Sequence, residues 1–195
     1  MAAILTLCGS MTTQAQTKQG EFFSSSWIGA GMSTFAGDIE DAKGRFAIAL
    51  NTEIGYNVTD WLAPSVGVTN TYQGVGYAVT GKSLYMDVLS VPLMLNFSAG
   101  PFTLKGGIQP DFVLSARMNG FNYSDQLKTV SLSAPLALNW SFYRDSDGDL
   151  WFLELRYHLG LTKMNSDVAF TNGWRTPGSI RNSVVMLTVG YKCDL

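Results

Sequence analysis

Charged residues are scarce in this 195-residue sequence: they make up 14% of it, well below the roughly 25% of a typical soluble domain. The net charge of −2 leaves no basic stripe, so we expect no nucleic-acid partner. No apolar run approaches the roughly 18 residues that a membrane-spanning helix needs. A chain of this composition can cross a membrane only as a closed β-barrel, because only closure satisfies its backbone polar groups.

The N-terminus has the features of a truncated secretory signal peptide. Residues 1–15 hold a short apolar run and then small residues, which predicts cleavage before Gln16, but the usual positive segment is missing. Cleavage would remove Cys8 and leave Cys193 as the single cysteine of the mature chain, which excludes an intrachain disulfide. We expect residues 16–195 to form one domain.

The stretch Leu150–Met164 alternates strictly between apolar and polar residues. Successive strand side chains point to opposite faces of a sheet, so this pattern predicts a strand with one apolar and one polar face. Its length exceeds the roughly 9–11 residues with which a tilted strand crosses a bilayer. The apolar face is Trp151, Leu153, Leu155, Tyr157, Leu159 and Leu161, and the opposite face is Phe152, Glu154, Arg156, His158, Gly160 and Thr162.

The same period of two recurs along the chain and predicts eight strands. Short turns alternate with longer segments rich in Gly, Asn, Asp and Ser, which is typical of outer-membrane barrels with periplasmic turns and extracellular loops. The longer segments are Ala36–Arg45, Gly74–Ser83, Arg117–Thr129 and Asn165–Asn182. The predicted strands are Ser25–Phe35, Phe46–Val58, Leu62–Gln73, Leu84–Ser98, Phe102–Ala116, Val130–Phe142, Leu150–Met164 and Ser183–Lys192.

Alternation does not by itself say which face is outside, since a soluble lipocalin-like barrel alternates with its apolar face inward. The interior of an eight-stranded barrel is barely wide enough for ordinary side chains. The polar face, rich in Gly, Ala, Ser, Thr and Asn, suits that interior better than the apolar face. We therefore predict an eight-stranded antiparallel up-and-down transmembrane β-barrel in the bacterial outer membrane, in contact with its lipid.

Aromatic residues gather at the short-turn ends of the predicted strands. Such a ring is typical of the girdle that barrels place at a membrane interface. The predicted periplasmic girdle is Tyr56, Trp61, Phe97, Phe102, Trp140, Phe142, Trp151 and Tyr191.

The stretch Leu89–Gly120, LSVPLMLNFSAGPFTLKGGIQPDFVLSARMNG, resembles the middle of the PorT-like family of small outer-membrane β-barrels. The stretches LELRYHLGLTKM and SVVMLTVGYK resemble that family's last two strands. The resemblance implies a Gram-negative outer-membrane barrel, and it suggests an accessory role in protein secretion. Two features depart from the family: Ser90 stands where an inward Glu is frequent, and the chain ends GYKCDL rather than on an aromatic residue.

Seven ionisable residues fall on the predicted inward face. Charges in a narrow lumen must be paired, which predicts a plug of salt bridges and no wide channel. The alternative is a narrow ion or proton path. The seven residues are Glu53, Lys105, Asp111, Glu154, Arg156, His158 and Lys192.

The sequence offers no strong catalytic or metal-binding signature. His158 and Glu154 share a face, but no nucleophile motif accompanies them, so a lipid-modifying enzyme is a remote alternative. The turn Arg144–Trp151 spaces three aspartates alternately, yet it lacks the glycine and glutamate positions of a calcium loop. We expect no cofactor and no bound metal.

The last long loop exposes Phe170, Trp174 and Arg175, residue types that often anchor partners. The same residues could equally contact lipid headgroups. We expect a non-catalytic structural or interaction protein that acts through its extracellular loops, with other envelope or secretion proteins as possible partners.

Overall fold

Ten strands form one antiparallel ring in the computed structural model. The structure describes residues 19–37, 42–77, 83–118, 120–122, 124, 127–146, 148–164 and 180–195. No helix among these residues is long and apolar enough to cross a membrane. The strands are β1 (Phe22–Gly37), β2 (Ala42–Tyr56), β3 (Leu62–Tyr77), β4 (Ser83–Ser90), β5 (Leu93–Ala99), β6 (Phe102–Met118), β7 (Phe121–Asn122), β8 (Val130–Arg144), β9 (Leu150–Gly160) and β10 (Ile180–Asp194).

The ring is closed by antiparallel pairing of β1 with β10 over a register that runs from Phe23 opposite Asp194 to Gly37 opposite Ile180. Each other strand pairs with its sequence neighbour, β4 and β5 together make one stave, and the short β7 pairs only with β6. The predicted eight-stranded up-and-down barrel is therefore confirmed. Closure matters because it leaves no edge of unpaired backbone groups to face lipid.

The fourth predicted strand is interrupted rather than continuous. Pro92 has no N–H and so cannot donate to a ladder. The chain leaves regular pairing at Val91 and Pro92 and resumes at Leu93. Hydrogen bonds from Gly67 N to Pro92 O and from Val91 N to Pro110 O, each 3.0 Å, hold the break in the wall.

Several strands reach further toward the long-loop end than the alternation predicts. Ala36–Arg45 was expected to be a loop, but β1 extends to Gly37 and β2 begins at Ala42. Lys43 pairs with Gly76 in the same region, which lies within the next expected loop. Composition alone missed these ends, because residues typical of loops are held in strands here by the neighbouring ladder.

The strand that starts at Leu150 is shorter than predicted. It ends at Gly160 instead of Met164. The N–H groups of Leu161 and Thr162 both donate to the carbonyl oxygen of Leu132, at 2.8 and 3.2 Å. This turn brings Met164, 1% exposed, over the lumen.

The apolar face is outside on every stave. Leu155 is 56% exposed, whereas its neighbours Glu154 and Arg156 are 0% exposed. Leu50, Leu104 and Leu138 are likewise exposed. Because an exterior of leucine, isoleucine and valine suits hydrocarbon and not water, the barrel is a membrane protein, and the soluble arrangement with its apolar face inward is excluded.

Candidate functional site: the lumen

A chain of ion pairs crosses the lumen in the half of the barrel nearer the short turns. Lys105 Nζ lies 2.7 Å from Glu53 Oε1 and 3.4 Å from Glu154 Oε2. Arg156 Nε in turn lies 2.7 Å from Glu154 Oε1. All four side chains are buried, and buried charges are costly unless they are paired in this way. The alternating signs neutralise one another, so these side chains obstruct the lumen instead of lining a channel.

Two aromatic rings complete the packing around these charges. The Arg156 guanidinium carbon lies 4.6 Å from the centroid of the Trp27 ring, and Lys105 Nζ lies 5.7 Å from that of Phe152. Both rings are buried. A cation over an aromatic face is stabilised by the ring quadrupole, and more so where water is excluded.

A second polar cluster lies one layer further toward the long-loop end. The Asp111 carboxylate accepts hydrogen bonds from Ser90 Oγ at 2.6 Å and from Gln109 Nε2 at 2.7 Å. Gln109 Nε2 is also 3.3 Å from His158 Nδ1. His158 therefore belongs to the Asp111 cluster, while Glu154 belongs to the ion pairs. Ser90, at the position where the PorT-like family often has Glu, supplies a hydroxyl donor to this cluster.

Lys192 lies apart from the other predicted lumen residues, at the short-turn end of β10. It is half-buried, and its Nζ lies 4.1 Å from the centroid of the Phe23 ring. It lines a cavity of about 30 Å³ together with Glu53, Lys105 and Asn96. A cavity of this size holds one or two waters and not a small-molecule ligand.

The long-loop end of the lumen is filled by an apolar cluster, which we call the cap. Its members are buried and come from five strands and from the turn after β9. The prediction of a polar inward face is wrong for this part of the barrel. The cap is Phe35, Val75, Leu84, Met86, Val88, Val113, Ala116, Met164 and Ile180.

The physical reason for the cap is a change of surroundings along the strands. Above the membrane the outer surface faces water, and it carries exposed cations such as Lys43 and Arg117. An inward apolar face is then what a water-soluble barrel requires. The alternation of Leu84, Met86 and Val88 with Tyr85 and Asp87 was a readable signal of this inversion.

Sequence reasoning also missed the role of two lumen residues. Gln109 shares the inward parity of Lys105 and Asp111 on β6, so its place beside Asp111 could have been read from the spacing. Trp27 was harder to assign, because the glycines of β1 blur the alternation on which the face depends.

The predicted aromatic residues do lie in a ring at the short-turn end of the wall. Neighbouring pairs contact one another: Trp61 with Phe97 (centroids 6.3 Å apart), Trp140 with Phe142 (6.0 Å) and Trp151 with Tyr191 (5.2 Å). Tyr56 packs against Phe22, with centroids 4.9 Å apart, and Phe102 is exposed on β6.

Other candidate residues lie in loops and turns. Phe170, Trp174 and Arg175 fall outside the described residues. In the turn after β8, Asp145 Oδ1 accepts a hydrogen bond of 3.1 Å from Asp149 N, and Tyr191 Oη donates to Asp149 Oδ2. Within the described part of the chain, no group of three or more His, Cys, Asp or Glu side chains could hold a metal ion.

Comparison with known proteins gives matches in structure and none in sequence. No family model matches the chain, and no curated protein matches it. The solved structures that it resembles are small outer-membrane β-barrels. The chain has the fold of that group.

Three of these structures cover nearly the whole barrel. Ail, the attachment invasion locus protein of Yersinia pestis, is 17% identical, with 90% of this chain and 100% of that chain covered and a TM-score of 0.53. OprG from Pseudomonas aeruginosa is 16% identical, with 91% and 98% covered and a TM-score of 0.54. Neisserial surface protein A is 13% identical, with 88% and 95% covered and a TM-score of 0.50.

The exterior apolar belt and the shared fold agree on location. Single-chain antiparallel barrels that face lipid with such a belt are outer-membrane proteins. The predicted location, the bacterial cell outer membrane, is confirmed. The short turns then face the periplasm, and the cap closes the extracellular end.

Proposed function

We propose that this chain is a non-conducting, non-catalytic barrel that presents its extracellular loops to a partner. The observation that carries the proposal is the filled lumen: Arg156 and Glu154 are wholly buried at its centre. Ions moving along the barrel would have to displace two polar layers and then the apolar cap. The wall is therefore a rigid support, and the loops are the part of the chain left for recognition.

The hydrogen bonds of the lumen also support a role without catalysis. Ser133 Oγ donates to the carbonyl oxygen of Gln109 at 3.4 Å, and His158 is linked to Gln109. A serine nucleophile would instead need its hydroxyl oriented by the histidine.

Planar-bilayer recording tests the closed lumen. Purified full-length protein should give no steady single-channel steps at any voltage that the bilayer tolerates. An R156A/M86A variant, which removes one member of each barrier, is the positive control for insertion and should give small steps. Steady steps from the wild-type protein would contradict the proposal.

The loops are tested separately, by replacing residues 165–179 with a Gly–Ser segment of equal length. The heat-modifiable gel band should be unchanged, because no barrel strand is altered. Envelope proteins that co-purify with the wild type after cross-linking should be lost. Retention of the same proteins would place the contact elsewhere.

The second candidate is an accessory role in outer-membrane protein secretion, as in the PorT-like family. It is supported by the resemblance of Leu89–Gly120 and of the last two strands. A deletion strain should then retain specific proteins that the parent strain exports, and a plasmid copy should restore export. An unchanged set of exported proteins would remove this candidate.

A further inference from the structure

An arginine and a tyrosine meet on the outer wall, well above the periplasmic girdle. The guanidinium carbon of Arg45 on β2 lies 5.1 Å from the centroid of the Tyr85 ring on β4, and Arg45 Nη2 donates to Tyr85 Oη. The Arg45 side chain crosses β3 at Gly76, where an added Cβ would lie 3.3 Å from Arg45 Cδ. The absence of a side chain at Gly76 thus leaves the path open.

Two more residues extend this surface sideways. Arg117 lies directly opposite Tyr85 in the ladder between β4 and β6, and both side chains are exposed on the outer wall. Tyr72 stacks on Tyr85 with ring centroids 5.9 Å apart and planes 13° apart. We call Arg45, Tyr72, Tyr85 and Arg117 the arginine–tyrosine surface.

The height of this surface follows from the strand geometry. A tilted strand climbs about 2.5 Å per residue along the barrel axis, so ten residues span the roughly 25 Å apolar band. Tyr72 comes eleven residues after the girdle residue Trp61 on β3. The arginine–tyrosine surface therefore lies at the outer membrane interface, where lipid headgroups are.

A polar pair marks the membrane-side edge of the surface. Asn70 Nδ2 donates to Asp87 Oδ1 at 2.8 Å, and both side chains point away from the lumen. A carboxylate on the lipid-facing wall carries a cost unless it lies near the interface or meets a polar group. With two guanidinium groups above it, the edge offers both a hydrogen-bond acceptor and a net positive charge.

We propose that the arginine–tyrosine surface binds the phosphorylated sugar headgroup of a lipid in the outer leaflet. Guanidinium groups bind phosphate through paired, charge-assisted hydrogen bonds. Arg45 is held in place by the Tyr85 ring, so little side-chain freedom is lost on binding. The tyrosine rings can pack against a sugar, and the Asp87 carboxylate can accept from its hydroxyl groups.

The sideways orientation favours a lipid over a soluble ligand. Arg45, Tyr72 and Tyr85 lie on the wall at headgroup height, neither in the lumen nor on the loops. A lipid whose acyl chains pack against the apolar belt below reaches them directly.

Binding is measured by native mass spectrometry of the full mature chain in detergent, with bisphosphorylated lipid A as the probe. The wild type should bind one lipid more tightly than it binds the dephosphorylated form. An R45Q/R117Q variant should lose about tenfold in affinity, as expected for two lost charge-assisted contacts. Y85F, which keeps the ring stack but removes the acceptor of Arg45, should show a smaller loss.

The matched control is K163Q/R181Q, which removes two exposed cations at similar height elsewhere on the rim. Its affinity should stay within twofold of the wild type, and all variants should keep the heat-modifiable band. Equal losses in the two double variants would overturn the proposal, since they would show only nonspecific charge attraction. Equal binding of the dephosphorylated lipid, or displacement by millimolar inorganic phosphate, would overturn it too.

Discussion

Arg156 Nε lies 2.7 Å from Oε1 of Glu154, two residues earlier on the same strand, and neither side chain is exposed. Residues two apart on a strand share a face, so this pair is formed within β9 and does not depend on another strand. Its partners across the lumen, Lys105 and Glu53, then tie β9 to β6 and β2. The plug is in this sense a set of cross-links between distant staves.

Removing one member of this pair should be costly. R156M leaves the Glu154 carboxylate buried with Lys105 as its one remaining cation, and we expect a loss of about 3–5 kcal/mol in unfolding free energy. The measurement is urea unfolding in lipid vesicles. The E154Q/R156M double variant, which removes both charges, should lose less than the sum of the two single variants. Additive losses would show that the two side chains do not interact.

Gly190 should tolerate no side chain. A Cβ there would lie 2.3 Å from Cζ of the Phe152 ring and 2.7 Å from the carbonyl oxygen of Ser26. We expect G190A to destabilise the barrel by about 1–3 kcal/mol, as overpacking does. G106A is the control, because its Cβ would meet only Leu136 Cδ2 at an ordinary 3.4 Å. Equal unfolding midpoints for the two variants would contradict the packing described for the lumen.

The cost of a charge on the outer wall should depend on depth. Leu155 lies near the middle of the apolar band and Leu161 at its extracellular edge, and both side chains are exposed. L155R should lose about 2–4 kcal/mol of unfolding free energy in vesicles, and L161R about 0–1 kcal/mol. The same two variants in detergent micelles should differ less, because micelles deform around a charge. A larger loss at Leu161 would place the membrane at the wrong height.

Barrel closure should depend on β10, which pairs with β1 on one side and with β9 on the other. A proline at Leu187, in the middle of the strand, removes a ladder donor and strains the backbone. We expect L187P to lose the fast-migrating band of unboiled protein, whereas L187V should keep it. A heat-modifiable L187P would show that closure does not require this ladder.

The fold could be predicted almost entirely from alternation, because each strand is an independent record of one lipid face and one lumen face. The pattern in Phe46–Val58 and Leu150–Met164 is clear, since apolar residues such as Leu50 and Leu155 alternate with Glu53 and Glu154. It fails where the surroundings change along a strand. Above the outer interface the outside is water, so the apolar residues Met86 and Val88 turn inward.

The site was predictable in membership and not in connection. Parity places Lys105, Glu154 and His158 in the lumen, but parity carries no information on which side chains meet across it. That depends on the stagger between strands, which brings Lys105 to Glu53 and leaves His158 with Gln109. The surface around Arg45 was missed for a similar reason, since it needs the bulge between Gly44 and Ile48 and the gap at Gly76.

The central claim is that leucine and valine side chains face hydrocarbon while the ionic residues are enclosed. It is tested most directly by a fluorophore on a cysteine at position 155, in a chain that begins at Gln16 and carries Cys193→Ser. In vesicles the account predicts strong quenching by lipids with nitroxides on their acyl chains and little quenching by aqueous iodide. Strong quenching by iodide, with none by the lipid nitroxides, would contradict it.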